Sequence, residues 1–365
     1  MTAPLPLDVF DRLPPTARAS VVEGLDTRID TVAARAADTH QFLRHGWFAA
    51  ASGAYGGRAR TLLVEQEGTP VLALPFVPFG PSRLGLAKLP GSYWPFRSFP
   101  LALDTDATSI ATGLKRLGEH VRALRIGPVL EGDPAAEPFL AAARTAGWAV
   151  LDRTIARSWV QDLTEPDWPR ASTLKKNRFH EKHLATHGTL DWRFLTAADW
   201  PTAFDDLAAI EADSWIETRT DGSDAKFTAA GHGAFWRAAA ADPVLAKCFR
   251  AALLLIDGKP AAFSFDIDVG THHYAVANSY APAIAKHSPG RLLHYRNLVD
   301  ARARQIRTVD WGMGDSGYKQ ALGAVEGPAF MDWLLLRPGV TALTGRMLAR
   351  WWGRGSDRSR GQTRE

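Results

Sequence analysis

The sequence predicts an α/β (α+β) protein in two related units, each a mixed, mainly antiparallel sheet flanked by helices, and three observations carry that prediction. Its 365 residues exceed what one hydrophobic core usually organises. A hairpin pattern occurs once in each half, at 61–77 and at 252–267, each after helical sequence. The composition, 46% apolar and 22% charged, is that of a folded globular chain and not of a disordered one.

The first hairpin, TLLVEQEGTPVLALPFV, turns at Glu67-Gly68 and follows the helical stretch TRIDTVAARAADTHQFLRHGWFAAAS. A strand-like RTIARSWVQDL then leads into Thr164-Glu165-Pro166-Asp167-Trp168-Pro169, where two prolines and a capping acid punctuate the chain. The expected division is therefore a first domain at 1–165, a second at 166–340 and a basic tail at 341–365. After the boundary, ASTLKKNRFHEKHLATHG reads as a cationic helix ending at Gly188, and WPTAFDDLAAIEADSWIE as an amphipathic one. The second hairpin pairs 252–256 with 261–267 through Asp257-Gly258-Lys259-Pro260, because Asp-Gly readily takes the two positive φ values of a tight turn. Gly270-Thr271 then turns into HHYAVANSY, completing a meander. A helix RLLHYRNLVDARARQ, a short strand from Thr308 and a last strand AFMDWLLLRP follow. Beyond them VTALTGRMLARWWGRG forms a short amphipathic helix, and SDRSRGQTRE is expected to be disordered.

Charge and composition exclude several functions. The formal excess of +4 is the excess of Arg346, Arg350, Arg354, Arg358, Arg360 and Arg364 over Asp357 and Glu365, so the rest is formally neutral and offers no broad phosphate-binding face. No nucleic-acid partner is expected. A start without a basic region or an apolar core, and the absence of any apolar run near the roughly 20 residues that span a bilayer, predict an untargeted, soluble, cytoplasmic protein. The single cysteine, Cys248, in AKCFRAALLLI, excludes an internal disulfide and reads as a buried structural thiol. His180, His183 and His187 share a helical face without the HExxH glutamate or a second ligand cluster, so a solvated basic helix is expected and no metal. His272 and His273 face opposite sides of a strand and cannot chelate together.

Two segments could carry chemistry. Ser288 as N-cap and Pro289 at the first helical position open a helix whose unpaired N–H groups and dipole suit an anion such as a pyrophosphate, with Lys286 or Arg291 adding charge. The same residues also make an ordinary capped helix. Downstream, Gly312, Gly314 and Gly317 let the backbone approach a ligand, Tyr318 offers a phenol proton and Lys319 a cation. A plain glycine-rich turn with a surface lysine reads equally from this stretch.

Taken together, Leu174-Lys175-Lys176-Asn177-Arg178, Glu211 with Trp215, the Asp257-Gly258 hairpin, Ser288-Pro289-Gly290-Arg291-Leu292-Leu293, and Asp310-Trp311-Gly312-x-Gly314 with Tyr318-Lys319 resemble the GNAT acetyltransferase superfamily. Within it they resemble the Fem-like branch with the CelD-type proteins of cellulose-biosynthesis clusters. The resemblance implies tandem GNAT-like units, the first degenerate and the second binding acyl-CoA (acetyl-CoA) as co-substrate. It implies cofactor contacts at Lys286, Ser288, Gly290, Arg291 and Leu292. It implies catalytic roles for Glu211 or Asp266 as base, Tyr318 as acid and Lys319 at the developing charge, with Trp215, Asp268, Trp311, Gly312 and Gly314 at the substrate. Asp266 and Asp268 alternate with apolar residues, so the polar face of a half-buried strand is their other reading. The expected reaction is N-acylation of an amine, such as an amino sugar or amino-acid derivative of polysaccharide or envelope metabolism. The alternatives are a non-catalytic exopolysaccharide scaffold and an aminoacyl-tRNA-dependent peptidyl transferase. The arginines around Trp351-Trp352 suit weak contact with a membrane surface or partner, or closure over the protein itself.

Overall fold

The computed structural model describes residues 17–91, 96–166, 168–214, 225–314, 317–342, 345, 349 and 352. Its strands are β1 (Ala17–Glu23), β2 (Arg60–Gln66), β3 (Thr69–Pro78), β4 (Leu86–Lys88), β5 (Ala123–Leu130), β6 (Ala149–Asp162), β7 (Leu190–Leu195), β8 (Phe249–Ile256), β9 (Lys259–Val269), β10 (His272–Tyr280), β11 (Thr308–Met313) and β12 (Val325–Leu336). The helices are α1 (Arg28–Ala33), α2 (His45–Tyr55), α3 (Ala107–Gly118), α4 (Ala136–Thr145), α5 (Ala171–Leu184), α6 (Trp200–Ala212), α7 (Gly233–Ala240), α8 (Pro243–Cys248), α9 (Pro289–Ala303) and α10 (Tyr318–Leu322).

Both hairpin turns form as their dipeptides require. Glu67 and Gly68 have φ of 53° and 80°, and Asp257 and Gly258 have 50° and 79°, which places both central residues in the left-handed region that joins β2 to β3 and β8 to β9. The strands join in one sheet, in the order β1-β2-β3-β4-β5-β12-β6-β11-β10-β9-β8-β7. Neighbours are antiparallel except β4 with β5 and β10 with β11, which run parallel because α3 and α9 carry the chain across the sheet between them.

The two halves repeat one plan, a meander followed by a helical crossover to a parallel strand, and each half is completed by a strand of the other. β6 lies against β11, β12 lies against β5, and β6 and β12 pair with each other at the centre. The proposed division at residue 165 falls between β6 and α5, but the sheet runs through it. Packing also crosses it: Trp47 of α2 meets Phe235 of α7 edge-on at 4.8 Å, inside a core shared with Trp236, Phe249 and Phe265. Near the central strands Asp332, fully buried, accepts from Arg125 and Arg153 at 2.8 and 2.6 Å. Trp352 lies 4.1 Å from the Arg153 guanidinium, a cation–π contact within the chain. Trp351 and the SDRSRGQTRE tail lie outside the described residues.

Candidate active site

β10 and β11 stay in register for three pairs only, His272 with Thr308, His273 with Val309 and Tyr274 with Asp310. Beyond these, β10 shifts register against β9 between Ala275 and Ala277, and β11 shifts against β6 between Asp310 and Met313. Bulges turn a strand and increase its twist, so the two strands part. The gap is a cleft of about 220 Å³ between 274–278 of β10 and 310–313 of β11, with His294, Tyr318 and Lys319 on its wall. A second cavity of about 410 Å³ lies between the halves of the chain and shares Phe96, Tyr274 and Asp310 with the first.

Asp310 occupies the point where the strands separate. It is 5% exposed, and its Oδ1 accepts from Ser158 Oγ at 2.5 Å and from the Gly312 N–H at 2.7 Å. Its Oδ2 has no hydrogen-bond partner among the described residues. Burial pushes the carboxyl above its ordinary value, against the pull of Ser158, the Gly312 N–H and the Lys319 charge. His294, on α9, is buried with Nδ1 3.3 Å from Ser264 Oγ, and burial holds its imidazole down to about 4, so the ring is neutral at physiological pH. Its ring lies nearly parallel to that of Tyr318 at 6.1 Å and edge-on to Trp311 at 4.9 Å.

The expected site residues divide. Tyr318, Trp311 and Gly312 line the cleft, with Tyr318 exposed on its rim. Lys319 also lines it, but not as a cation free to meet substrate. Its ammonium is buried and donates to the carbonyls of Trp311, Gly312 and Met313 at 2.7, 3.1 and 2.8 Å. Gly312 and Gly314, both at φ 70°, bend the backbone around that ammonium, so the glycine-rich turn is built around the lysine.

Three acids expected near the chemistry lie elsewhere. Glu211 is buried, and its carboxylate accepts the backbone N–H groups of Lys226 and Phe227 at 2.9 and 2.7 Å, which anchors a loop and reaches neither cavity. Asp266 is fully buried because α9 covers that face of β9. There it accepts from Ser264 at 3.1 Å and from Asn297, with His273 Nε2 at 3.5 Å. Asp268 is paired with His273 at 2.6 Å and with Arg304. The half-buried polar face is therefore a buried ionic cluster, and it lines neither cavity. Trp215 lies outside the described residues.

The expected anion site is partly rebuilt. Ser288 holds the N-cap position of α9 but in left-handed geometry, φ 52°, with no side-chain cap bond. A Cβ on Gly290 would come within 2.4 Å of Asn278 Oδ1, so this glycine lets α9 approach β10 closely. Leu292 packs with Leu184, Ile284 and Leu293 in an apolar cluster. Lys286 is exposed and Arg291 half-buried, its Nε donating to Asn177 of α5 at 3.3 Å. Cys248 is partly buried at the end of α8, and burial pushes its thiol up to about 11, away from a nucleophile's range. Among the described residues no group of three or more His, Cys, Asp or Glu is arranged for a metal, and no helix is long and apolar enough to cross a membrane.

Asp310 and His294 are the titratable cleft residues that sequence reasoning did not place in the site. Asp310 stood within the Asp-Trp-Gly motif, but its burial and its partner Ser158, which β6 brings from far along the chain, are not local properties. His294 carried no sequence signal beyond lying in a helix.

Residues 171–320 match the family model of the Acetyltransferase (GNAT) domain. No curated protein matches the chain. Among solved structures, FemX is 10% identical with a TM-score of 0.54 over 90% of this chain and 100% of its own. The C-terminal DUF2156 domain of an Agrobacterium fabrum protein assigned as a lysylphosphatidylglycerol synthetase is 14% identical, with a TM-score of 0.53 over 90% of this chain and 97% of its own. A conserved protein of unknown function from Bacteroides thetaiotaomicron is 12% identical, with a TM-score of 0.55 over 87% and 100%. At these identities the likenesses establish the fold. Residues 171–320 are thus a GNAT acetyltransferase domain, and the fold of the chain around them is similar to that of FemX.

Proposed function

We propose that the protein is a cytoplasmic N-acyltransferase that moves an acyl group from acyl-CoA to an amine. The observation that carries this reading is the parting of β10 from β11, which leaves a narrow cleft between two strand edges, with α9 the next α-helix after β10, reached through the 3-10 turn Pro282–His287. A thioester arm laid in that cleft has backbone amides beside its carbonyl, while the α9 terminus and Lys286 face its phosphates. In the reaction the amine nitrogen attacks the thioester carbonyl, the C–S bond breaks, one proton leaves the nitrogen and one is gained by the thiolate. Asp310 is the group we assign to accept the first, and Tyr318 the group that donates the second. Glu211 and Asp266, the earlier candidates for the base, line neither cavity.

A second reading, in which the acyl group arrives on tRNA, is favoured by the exposed Lys175, Lys176 and Arg178 of α5, which packs against α9. One experiment separates the two: thiol release from acetyl-CoA is followed with a panel of primary amines, for wild type and Tyr318→Phe. Amine-dependent release that falls about 10²- to 10⁴-fold in kcat in the variant, with little change in KM for acetyl-CoA, supports the first reading. No thiol release from acetyl-CoA with any amine, together with amine-dependent deacylation of aminoacyl-tRNA, supports the second.

A further inference from the structure

The second cavity carries information about the acceptor that the cleft alone does not. At about 410 Å³ it has the volume of a small-molecule site, and it meets the cleft at Tyr274 and Asp310. Most of its wall is apolar, made by Phe42, Leu43, Leu130, Pro134, Val160 and Pro328. Among the described residues that line it, three carry carboxylates, Glu131, Asp133 and Asp310, and none is Lys or Arg.

The polar groups on that wall are not equally available. Asp133 is buried and saturated: its oxygens accept from His40 at 3.0 Å, from Ser98 at 2.9 Å and from the N–H groups of Ala135 and Ala136 at 3.1 and 2.8 Å. Burial would raise its carboxyl, but His40 and these donors outweigh that and hold it below the ordinary carboxylate range. Asp310 is different, being 5% exposed with Oδ2 unpartnered, and so is His272, whose Nδ1 has no partner among the described residues. A ligand thus meets a mostly apolar surface, with Asp310 Oδ2 and His272 Nδ1 buried and unpartnered among the described residues in its wall and the Glu131 carboxylate exposed on it.

We infer that the acceptor is a primary amine carried on an apolar, aromatic or aliphatic body, with the body in the cavity between the halves and the nitrogen at Asp310 where the two cavities join. This rests on the acyl-transfer reading above and differs from the amino sugar that the resemblance implies. A sugar would press several hydroxyls against Phe42, Leu43 and Leu130, and each buried hydroxyl left without a partner is unfavourable. An ammonium head is favoured because Asp310 Oδ2 has no hydrogen-bond partner among the described residues and its neighbouring cation, Lys319, is held on three carbonyls of the adjoining cleft.

The test is direct binding to the full chain, read by calorimetry, with 2-phenylethylamine and glucosamine as the probes. The inference expects 2-phenylethylamine to bind at least tenfold more tightly than glucosamine. It also expects Leu130→Trp, which fills the second cavity from a residue that does not line the cleft, to weaken 2-phenylethylamine at least tenfold. Glucosamine binding as tightly as 2-phenylethylamine, or neither amine binding the wild-type chain, overturns it without reference to any variant. A separate titration with acetyl-CoA keeps the two readings apart. Acetyl-CoA binding without amine discrimination removes only the inference, whereas failure of acetyl-CoA to bind removes the donor reading on which the inference depends.

Discussion

Lys319→Met decides whether the lysine of the Tyr-Lys pair acts on substrate or holds the backbone that faces it. Lys319 is 4% exposed, and its ammonium bonds three carbonyls in succession, those of Trp311, Gly312 and Met313. Methionine preserves much of the apolar stem and removes every donor. Hydrogen bonds to charged groups contribute about 1.5–3 kcal/mol each, but burying the ammonium has its own cost, and the Gly312 and Met313 carbonyls, half-buried, regain water. What remains is chiefly the orphaned Trp311 carbonyl and a loosened turn, a loss of about 2–4 kcal/mol. Urea denaturation of the wild type and variant gives that number directly from the midpoints, provided the slopes agree. Lys319→Arg should recover little of it, since a planar guanidinium does not converge on three carbonyls of one turn as a compact ammonium does. A variant with unchanged stability and abolished transfer would refute the reasoning and return Lys319 to the role of a substrate-facing cation.

Three further outcomes follow from the same structure. Burial depresses His273, but Asp266 and Asp268 outweigh it and raise the imidazole to about 10. The folded pKa thus exceeds the ordinary unfolded value of about 6.5, so the stabilisation is full below about 6.5 and is lost as pH rises through about 10, at up to about 1.4 kcal/mol per unit. Urea midpoints measured from pH 6.5 to 10 should fall in the wild type and flatten in His273→Gln. Gly290→Ala should cost about 1–3 kcal/mol because its Cβ meets Asn278, and Asn278→Ala should recover part of that loss in a double-mutant cycle. Asp310→Asn should lower kcat about 10²- to 10⁴-fold without weakening acetyl-CoA binding. The wild-type rate should rise with pH through a carboxyl above its ordinary value, because the base acts only when deprotonated, and the variant should lose that limb.

The parts of the fold legible in the sequence are those set by neighbouring residues. Glu67-Gly68 and Asp257-Gly258 announced both hairpins because the signal, two successive positive φ values, lies within the turn itself. The exchange of β6 and β12 was not legible, since a strand's choice of partner depends on surfaces hundreds of residues apart, and Ala149–Asp162 looks the same whichever unit it completes. The site shows the same limit. Tyr318 and Trp311 were found because the motif places them at a strand end, next to the cleft. Lys319, Glu211 and Asp266 were found as residue types, but their burial and partners, three carbonyls, two amides and a serine with an asparagine, redirect each from catalysis to architecture. Asp310 went the other way. Nothing local distinguishes it from Asp268, yet one carboxylate retains an unpartnered oxygen at a cleft and the other is held by a histidine and an arginine.

The central claim is that the parted β10–β11 edge receives an acyl thioester. Calorimetric titration of acetyl-CoA into the wild-type chain and into Ala277→Trp, whose new ring would occupy the cleft, tests it most directly. The account predicts binding to the wild type and at least a tenfold loss in a variant that keeps its denaturation midpoint within a few tenths of the parent. Equal affinity in both, or none in the wild type, would contradict it.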